Sequence, residues 1–440
     1  MDLSGLSMHQ APPFRAVYRF FLTAPLFISA AGIYLAVGGT ALFDTHISSL
    51  LAGFVHLVTL GFLTMVMFGA IMQMMPVMVG AIIPRPLLFS SLVYIPFTLG
   101  LLFLVSGFIA NIFDLVLPGL FFAAFVLLFF SIGLYITTIL SRLFGFKVKS
   151  LILMNLKLVV ISLIFAAGAG LLLVYGRISG NFFAFEPGML SLHLYWVMAG
   201  WVFSLINVVS FQIVPMFYVT PEYPVHMKKF NIPVIFLTGL LFSFAWVIPE
   251  PFVELYKTLV GVVWALSAFY FSVFTLSRLS NRKRKLPDNT LLFWKLSMVM
   301  LVLVSLLWLF DTAYPVISRE KFFLVSGILF LVGFAVSLVN AMMYKIIPFL
   351  SWFHPAGKGI MDTPNMKEML PDKKIRLQFI IYFAALLFLL LSVFYPALFL
   401  LPAGTLFIIS GILLWMNLYG CVKVYKVFYE KKQNMNIPNS

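Results

Sequence analysis

Two histidines stand inside hydrophobic segments of this chain, His56 and His193. An ionisable side chain within an apolar span is a functional-site candidate by default, because lipid penalises it unless it has a partner or a task. A neutral imidazole presents one nitrogen lone pair and is the common axial ligand of haem iron. Two such rings at matching depth on equivalent helices could face one cavity. The plainer alternative is that each ring donates to a neighbouring carbonyl and packs. His9, His46, His226 and His354 lie in terminal or loop segments and read as solvated.

Other candidates are softer. The stretch MVMFGAIMQMMPVMVG from Met65 is dense in thioethers, which are ligands for Cu(I) but also fill gaps in apolar packing. Ser204 with Asn207, and Ser337 with Asn340, place small polar groups about one turn apart on one face of their helices. They read as interhelical hydrogen bonds or as a polar lining to a cofactor or transport pathway. No phosphate-binding Gly-rich loop, HExxH motif or Ser/His/Asp set is present, and acids are nearly absent from the spans. That scarcity argues against a transporter coupled to protons through buried carboxylates.

The elements that must position these residues are membrane helices. Of 440 residues 62% are apolar and only 10% charged, against about 25% charged in an average soluble protein. Apolar runs long enough to cross a bilayer recur from end to end, and in lipid such runs satisfy their backbone as helices. The sequence predicts an all-α polytopic membrane protein with about twelve spans: 15–38, 49–76, 87–110, 114–140, 150–175, 190–215, 232–249, 255–278, 290–310, 321–348, 375–396 and 398–425. Residues 431–440 read as a disordered tail. The longest polar connection, 349–374, is too short for a core of its own.

An internal repeat groups the spans into three modules of four, about 15–140, 150–278 and 290–425. Gly61-Phe62, Gly200-Trp201 and Gly333-Phe334 mark the second span of each. Fifteen residues after each Gly stands a Pro, at 76, 215 and 348, and three before it a long polar residue, Gln73, Gln212 or Lys345. Arg19, Lys157 and Lys295 mark the first spans, each 138 residues after the last. The Gly permits close helix approach, and the Pro reads as a terminator or kink at the end of the span. Five residues before the Gly the copies carry His56, Tyr195 and Ile328, with His193 two residues before Tyr195.

The net charge of +15 fits membrane topology better than nucleic acid. Connections after even-numbered spans carry Arg85, Arg142/Lys147/Lys149, Lys228/Lys229, Arg282–Lys285 and Lys367/Lys373/Lys374. The opposite side carries Asp44, Asp114, Glu186, Glu250, Glu254 and Asp311. Basic residues stay on the cytoplasmic side, which predicts both termini inside, and the Arg282–Lys285 run reads as an anchor on anionic lipid. The single Cys421 excludes an intrachain disulfide or a cysteine-based metal cluster.

Twelve spans in three four-helix arcs resemble subunit I of the haem–copper oxidase superfamily. The stretch HLVTLGFLTMVMFGAIMQMMPVMVG, from His56, resembles that family's second helix, whose His ligates a low-spin haem. LHLYWVMAGWVFSLINVVSFQIVPMFYVTPEYP, with His193, falls where the family places one copper-ligating His. NAMMYKIIPFLSWFH is similar to an oxidase-like subgroup. The departures are specific. The seventh span, IPVIFLTGLLFSFAWVIP, lacks the family's His pair for copper, and KFFLVSGILFLVGFAVSLVNAMMYKIIP lacks the two His of the tenth helix. In this the chain resembles the NnrS-type oxidase-like membrane proteins associated with nitric oxide and denitrification.

The resemblance implies a bacterial inner-membrane protein binding haem b through His56, with His193 or a Met as sixth ligand, or with none. It implies electron transfer or nitric oxide- or oxygen-related respiration beside other respiratory subunits, without a competent oxidase or nitric oxide reductase centre. The competing expectations are a haem-free transporter or copper-handling protein on the same body, and a subunit with only a scaffold role.

Overall fold

The computed structural model describes residues 11–435 apart from 44–47, 111–114, 116, 146–149, 181, 250, 284, 313, 315–316, 358 and 361, and no side chains at 182–187, 246 or 429–435. Asp44, Asp114, Lys147, Lys149, Glu250 and Arg284 of the charge pattern, with His9 and His46, lie outside the described residues, as does the side chain of Glu186.

Twelve helices are long and apolar enough to cross a membrane, and no strand occurs among the described residues. They are α1 (Phe14–Phe43), α2 (Ser49–Val79), α3 (Pro86–Ala110), α4 (Pro118–Gly145), α5 (Leu151–Ser179), α6 (Gly188–Tyr218), α7 (Val225–Ser243), α8 (Phe252–Ser280), α9 (Thr290–Asp311), α10 (Arg319–Ala356), α11 (Asp372–Ser392) and α12 (Pro396–Phe428). The chain is an all-α polytopic membrane protein. The helices α2, α6 and α10 are the most buried of the twelve. They form the inner ring, and the remaining helices surround it with apolar faces exposed.

Successive modules pack where α4 meets α5 and α8 meets α9, and α1 packs along α12, which closes the ring. That last seam depends on two glycines. A Cβ on Gly32 would stand 2.6 Å from the Gly404 carbonyl oxygen, and one on Gly404 would stand 2.6 Å from that of Gly32. Where both solvent and helix surface are apolar, such backbone proximity is the principal source of association.

The repeated Gly-aromatic pair has a structural consequence beyond close approach. Each of the three inner helices widens into a π-helical stretch around it, at Leu57–Thr64, Trp196–Phe203 and Ile328–Val336. The first helix of each module presses on the marked glycine there. A Cβ would lie 2.6 Å from Phe27 at Gly61, 2.9 Å from Ser162 at Gly200 and 2.8 Å from Met300 at Gly333. π-helical turns are rare and recur at functional sites.

Three expectations of local structure are corrected. Pro76, Pro215 and Pro348 do not terminate their helices, which continue to Val79, Tyr218 and Ala356. Each ring forgoes one ladder hydrogen bond, a cost the packed ring of helices can absorb. The seventh span starts at Val225 rather than 232 and ends at Ser243, so Pro233 lies within the helix. Residues 431–435 continue the last helix to Met435 in place of a disordered tail; 436–440 lie outside the described residues. Among its described residues the polar connection after α10 contains one helical turn, Met366–Met369, capped by Asn365 and Glu368.

Candidate functional site

His56 and His193 meet. Their ring centroids are 6.2 Å apart and their planes 14° from parallel. His56 ends the first α-helical part of α2, immediately before the π-helical stretch. His193 lies three residues before the corresponding stretch of α6. The pair therefore bridges the first and second modules. Tyr195, the register equivalent of His56, turns to its own module, where it donates to the Ile235 carbonyl and shares a hydrogen bond with Thr238. Ile328, the third equivalent, is buried.

Each imidazole is held by a backbone carbonyl. His56 Nδ1 lies 2.7 Å from the Ala52 oxygen one turn earlier, and His193 Nδ1 lies 2.9 Å from the Ala166 oxygen on α5. A carbonyl oxygen only accepts, so Nδ1 carries the proton in both rings. In the neutral ring the lone pair is then on Nε2, and neither Nε2 has a partner among the described residues. This is the orientation found in metal-ligating histidines, where the second nitrogen is fixed by an acceptor.

Sequence reasoning missed Gly170. A Cβ there would stand 2.7 Å from His193 Cε1 and 3.1 Å from Nδ1. The absence of a side chain at Gly170 lets the imidazole settle against α5 and reach the Ala166 carbonyl. A single Gly in an apolar helix carries no signal of this kind until its neighbour across the interface is known.

Both rings line a cavity of about 70 Å³, with Thr59, Thr64, Gly170 and Trp201 and an otherwise aliphatic wall drawn from α2 to α6. No charged side chain lines it. Thr59 donates to the Val55 carbonyl, and Thr64 accepts from the Trp201 indole at 3.2 Å. Phe108 of α3 packs beside His56, its centroid 5.6 Å away.

Two imidazole nitrogens, one Nε2 from each ring, are the donors this pair could offer a metal. Among the described residues no group of three or more His, Cys, Asp or Glu side chains could hold a metal. The pair offers two imidazole nitrogens and no third protein donor, and the cavity it lines, about 70 Å³, is smaller than a porphyrin, so a haem there requires the lining helices to part.

The Ser and Asn residues have other occupations. Ser204 donates to the Ala199 carbonyl at 2.8 Å, five residues back, into the widened turn; Ser337 donates to Tyr382 Oη at 3.2 Å, with the Val332 carbonyl farther off at 3.5 Å. Tyr382 itself donates to the Val332 oxygen. Asn207 donates to the Phe203 carbonyl and accepts from Asn231 of α7, so it ties two helices of one module. Asn340 is buried with its amide oxygen unpartnered. None of the four lines the histidine cavity.

The basic marks of the first helices separate similarly. Arg19 donates to Ser91, Lys157 lies 4.6 Å over the Phe144 ring, and Lys295 is exposed. Lys345, the third counterpart of Gln73 and Gln212, pairs with Asp288 in the connection between α8 and α9.

No protein-family model matches the chain, and no curated protein matches it in sequence.

Proposed function

We propose that this chain is a bacterial inner-membrane protein on an oxidase-like scaffold that holds one b-type haem between His56 and His193. Its role is electron transfer, or respiration linked to nitric oxide or oxygen, beside other respiratory subunits and without an oxidase-type copper centre. The basic residues of the connections after even-numbered spans support an orientation with both termini in the cytoplasm.

The observation that carries the reading is the paired imidazoles: 6.2 Å apart, nearly parallel, with both Nδ1 atoms committed to carbonyls. Ala52 and Ala166 hold the tautomer that leaves Nε2 of each ring as a donor to iron. Apart from the two imidazoles the wall carries no titratable side chain. A bound haem supplies a one-electron couple whose potential depends on its axial ligands and on burial. Were His56 and His193 both to hold a haem, no protein-free position would remain for a gas, which favours electron transfer over its reduction. In the resembled family the tenth helix supplies haem ligands; here His56 and His193 would do so from α2 and α6, and α10 carries no His between Arg319 and Phe353.

The test is the visible spectrum of protein produced with ample haem. The expected result is a Soret band with low-spin features, lost or converted to high spin in His56→Ala and in His193→Ala. Haem-free protein, or an unchanged low-spin spectrum in both variants, would overturn the proposal.

A further inference from the structure

A second cavity lies where the other ends of α2, α6 and α10 converge, and the histidine site does not use it. It measures about 60 Å³. The residues around it are register equivalents in the three modules, counted from Pro76, Pro215 and Pro348, so it sits on the pseudo-threefold axis. Three thioethers line it: Met74 and Met78, one turn apart on α2, and Met216 from α6. Gln73 and Gln212 border it through their aliphatic stems, and α10 contributes only apolar side chains.

Three features distinguish this cavity from a packing defect. The three methionines are only half-buried and border open space, whereas Met65, Met67, Met72 and Met75 of the same helix are buried in the core. Gln73 is 6% exposed and its Oε1 has no hydrogen-bond partner, a costly state for a buried acceptor. The third register position, which would bring an ammonium to the wall, is Lys345; it is not among the lining residues and pairs with Asp288.

No carboxylate, thiol or imidazole lines the cavity. Hard divalent ions, which demand several charged or carbonyl oxygens, have no ligand set there. Neutral thioether sulfur selects a soft monovalent ion, above all Cu(I). We propose that the axial cavity is a Cu(I) site formed by Met74, Met78 and Met216. It requires no redox step and is independent of the haem between His56 and His193.

The experiment titrates the purified full chain anaerobically with Cu(I) against a competing chelator, and with Ag(I) as a redox-inert probe. One ion per chain and sulfur scatterers in the copper X-ray absorption spectrum are expected. Replacing Met74, Met78 and Met216 together by Leu, a nearly volume-conserving change, should weaken binding on the order of 100-fold. The exposed-site control Met154→Leu/Met416→Leu should bind as the parent does. Failure of the parent chain to retain Cu(I), retention undiminished in the triple variant, or a spectrum with only nitrogen or oxygen ligands would each overturn the site. Elution and melting of the triple variant, compared with the parent, separate lost ligands from lost fold. The haem spectrum of the same samples reports separately on the histidine site.

Discussion

Gly170→Ala perturbs the histidine pair without touching either histidine. The new Cβ would lie 2.7 Å from His193 Cε1, whereas carbon atoms rest at about 3.5–4.0 Å. The ring must therefore retreat by roughly 1 Å. The Nδ1–Ala166 hydrogen bond of 2.9 Å would then stretch to about 3.9 Å, beyond hydrogen-bond range. Loss of that bond costs about 1 kcal/mol and frees the ring to turn. Disturbing the group that orients a metal-ligating His typically weakens metal binding about 10–100-fold. Helix stability works in the opposite sense, since Ala is favoured over Gly by about 1 kcal/mol. A weaker site therefore cannot be ascribed to a weaker α5. Gly168→Ala is the control, because a Cβ there meets nothing within 4 Å. Haem titration of the apoprotein should give a dissociation constant raised about 10-fold or more in Gly170→Ala, with part of the spectrum shifted to high spin, and no change in Gly168→Ala. Equal affinities and spectra in the two variants would refute the claim that Gly170 seats His193 as a ligand.

Three further outcomes follow from the fold. Asp288→Asn strands the ammonium of Lys345, and because the pair is 16–19% exposed the cost should lie at the low end of the range for broken buried pairs, about 3 kcal/mol; a denaturant melt should show the loss, and adding Lys345→Gln should recover most of it. The same pair sets a pH dependence: burial raises the Asp288 carboxyl, but the charge and hydrogen bond of Lys345 and the bonds from Thr290 outweigh it and hold it below the usual range. Its contribution is therefore complete above the unfolded pKa of about 3.9 and is lost as pH falls through the lower folded value, so melts of the parent and of Asp288→Asn should converge only in strong acid. Gly404→Val forces α1 and α12 apart at the seam where a Cβ already meets backbone at 2.6 Å, and should lower the melting temperature far more than Gly420→Val, which meets nothing within 4 Å.

The fold was legible because its signals are long. Twelve apolar runs and a threefold recurrence of Gly-aromatic, Pro and basic marks leave little freedom in the architecture. The three Pro residues misled because Pro at the end of an apolar run is a terminator only when nothing replaces its missing ladder bond; α2, α6 and α10 are packed on every side and run on to Val79, Tyr218 and Ala356. Pro233 had the same effect on the start of α7, whose first turns carry Lys228 and Lys229 and so did not read as a span. The π-helical stretches coincide with the Gly-aromatic marks, but the marks alone do not distinguish a π-helical turn from an α-helical one; each stretch lies where Phe27, Ser162 or Met300 of another helix packs on the marked glycine. The candidate site was half legible. An intramembrane His is conspicuous, and equal depth followed from the repeat. That the two rings face one another, and that Gly170 and the Ala166 carbonyl seat one of them, depends on how the first two arcs pack, which no single-helix pattern encodes. The Ser/Asn face shows the converse. Its spacing was visible, but Ser204 serves the widened turn of its helix, Ser337 serves Tyr382, and Asn207 serves Asn231.

The most direct test is a low-temperature electron paramagnetic resonance spectrum of the oxidised, haem-loaded protein beside His56→Ala and His193→Ala. The account predicts a low-spin ferric signal of two imidazole ligands in the parent chain, and a high-spin signal when either histidine is removed. A parent spectrum with no ferric haem signal, or a low-spin signal that survives both substitutions, would contradict it.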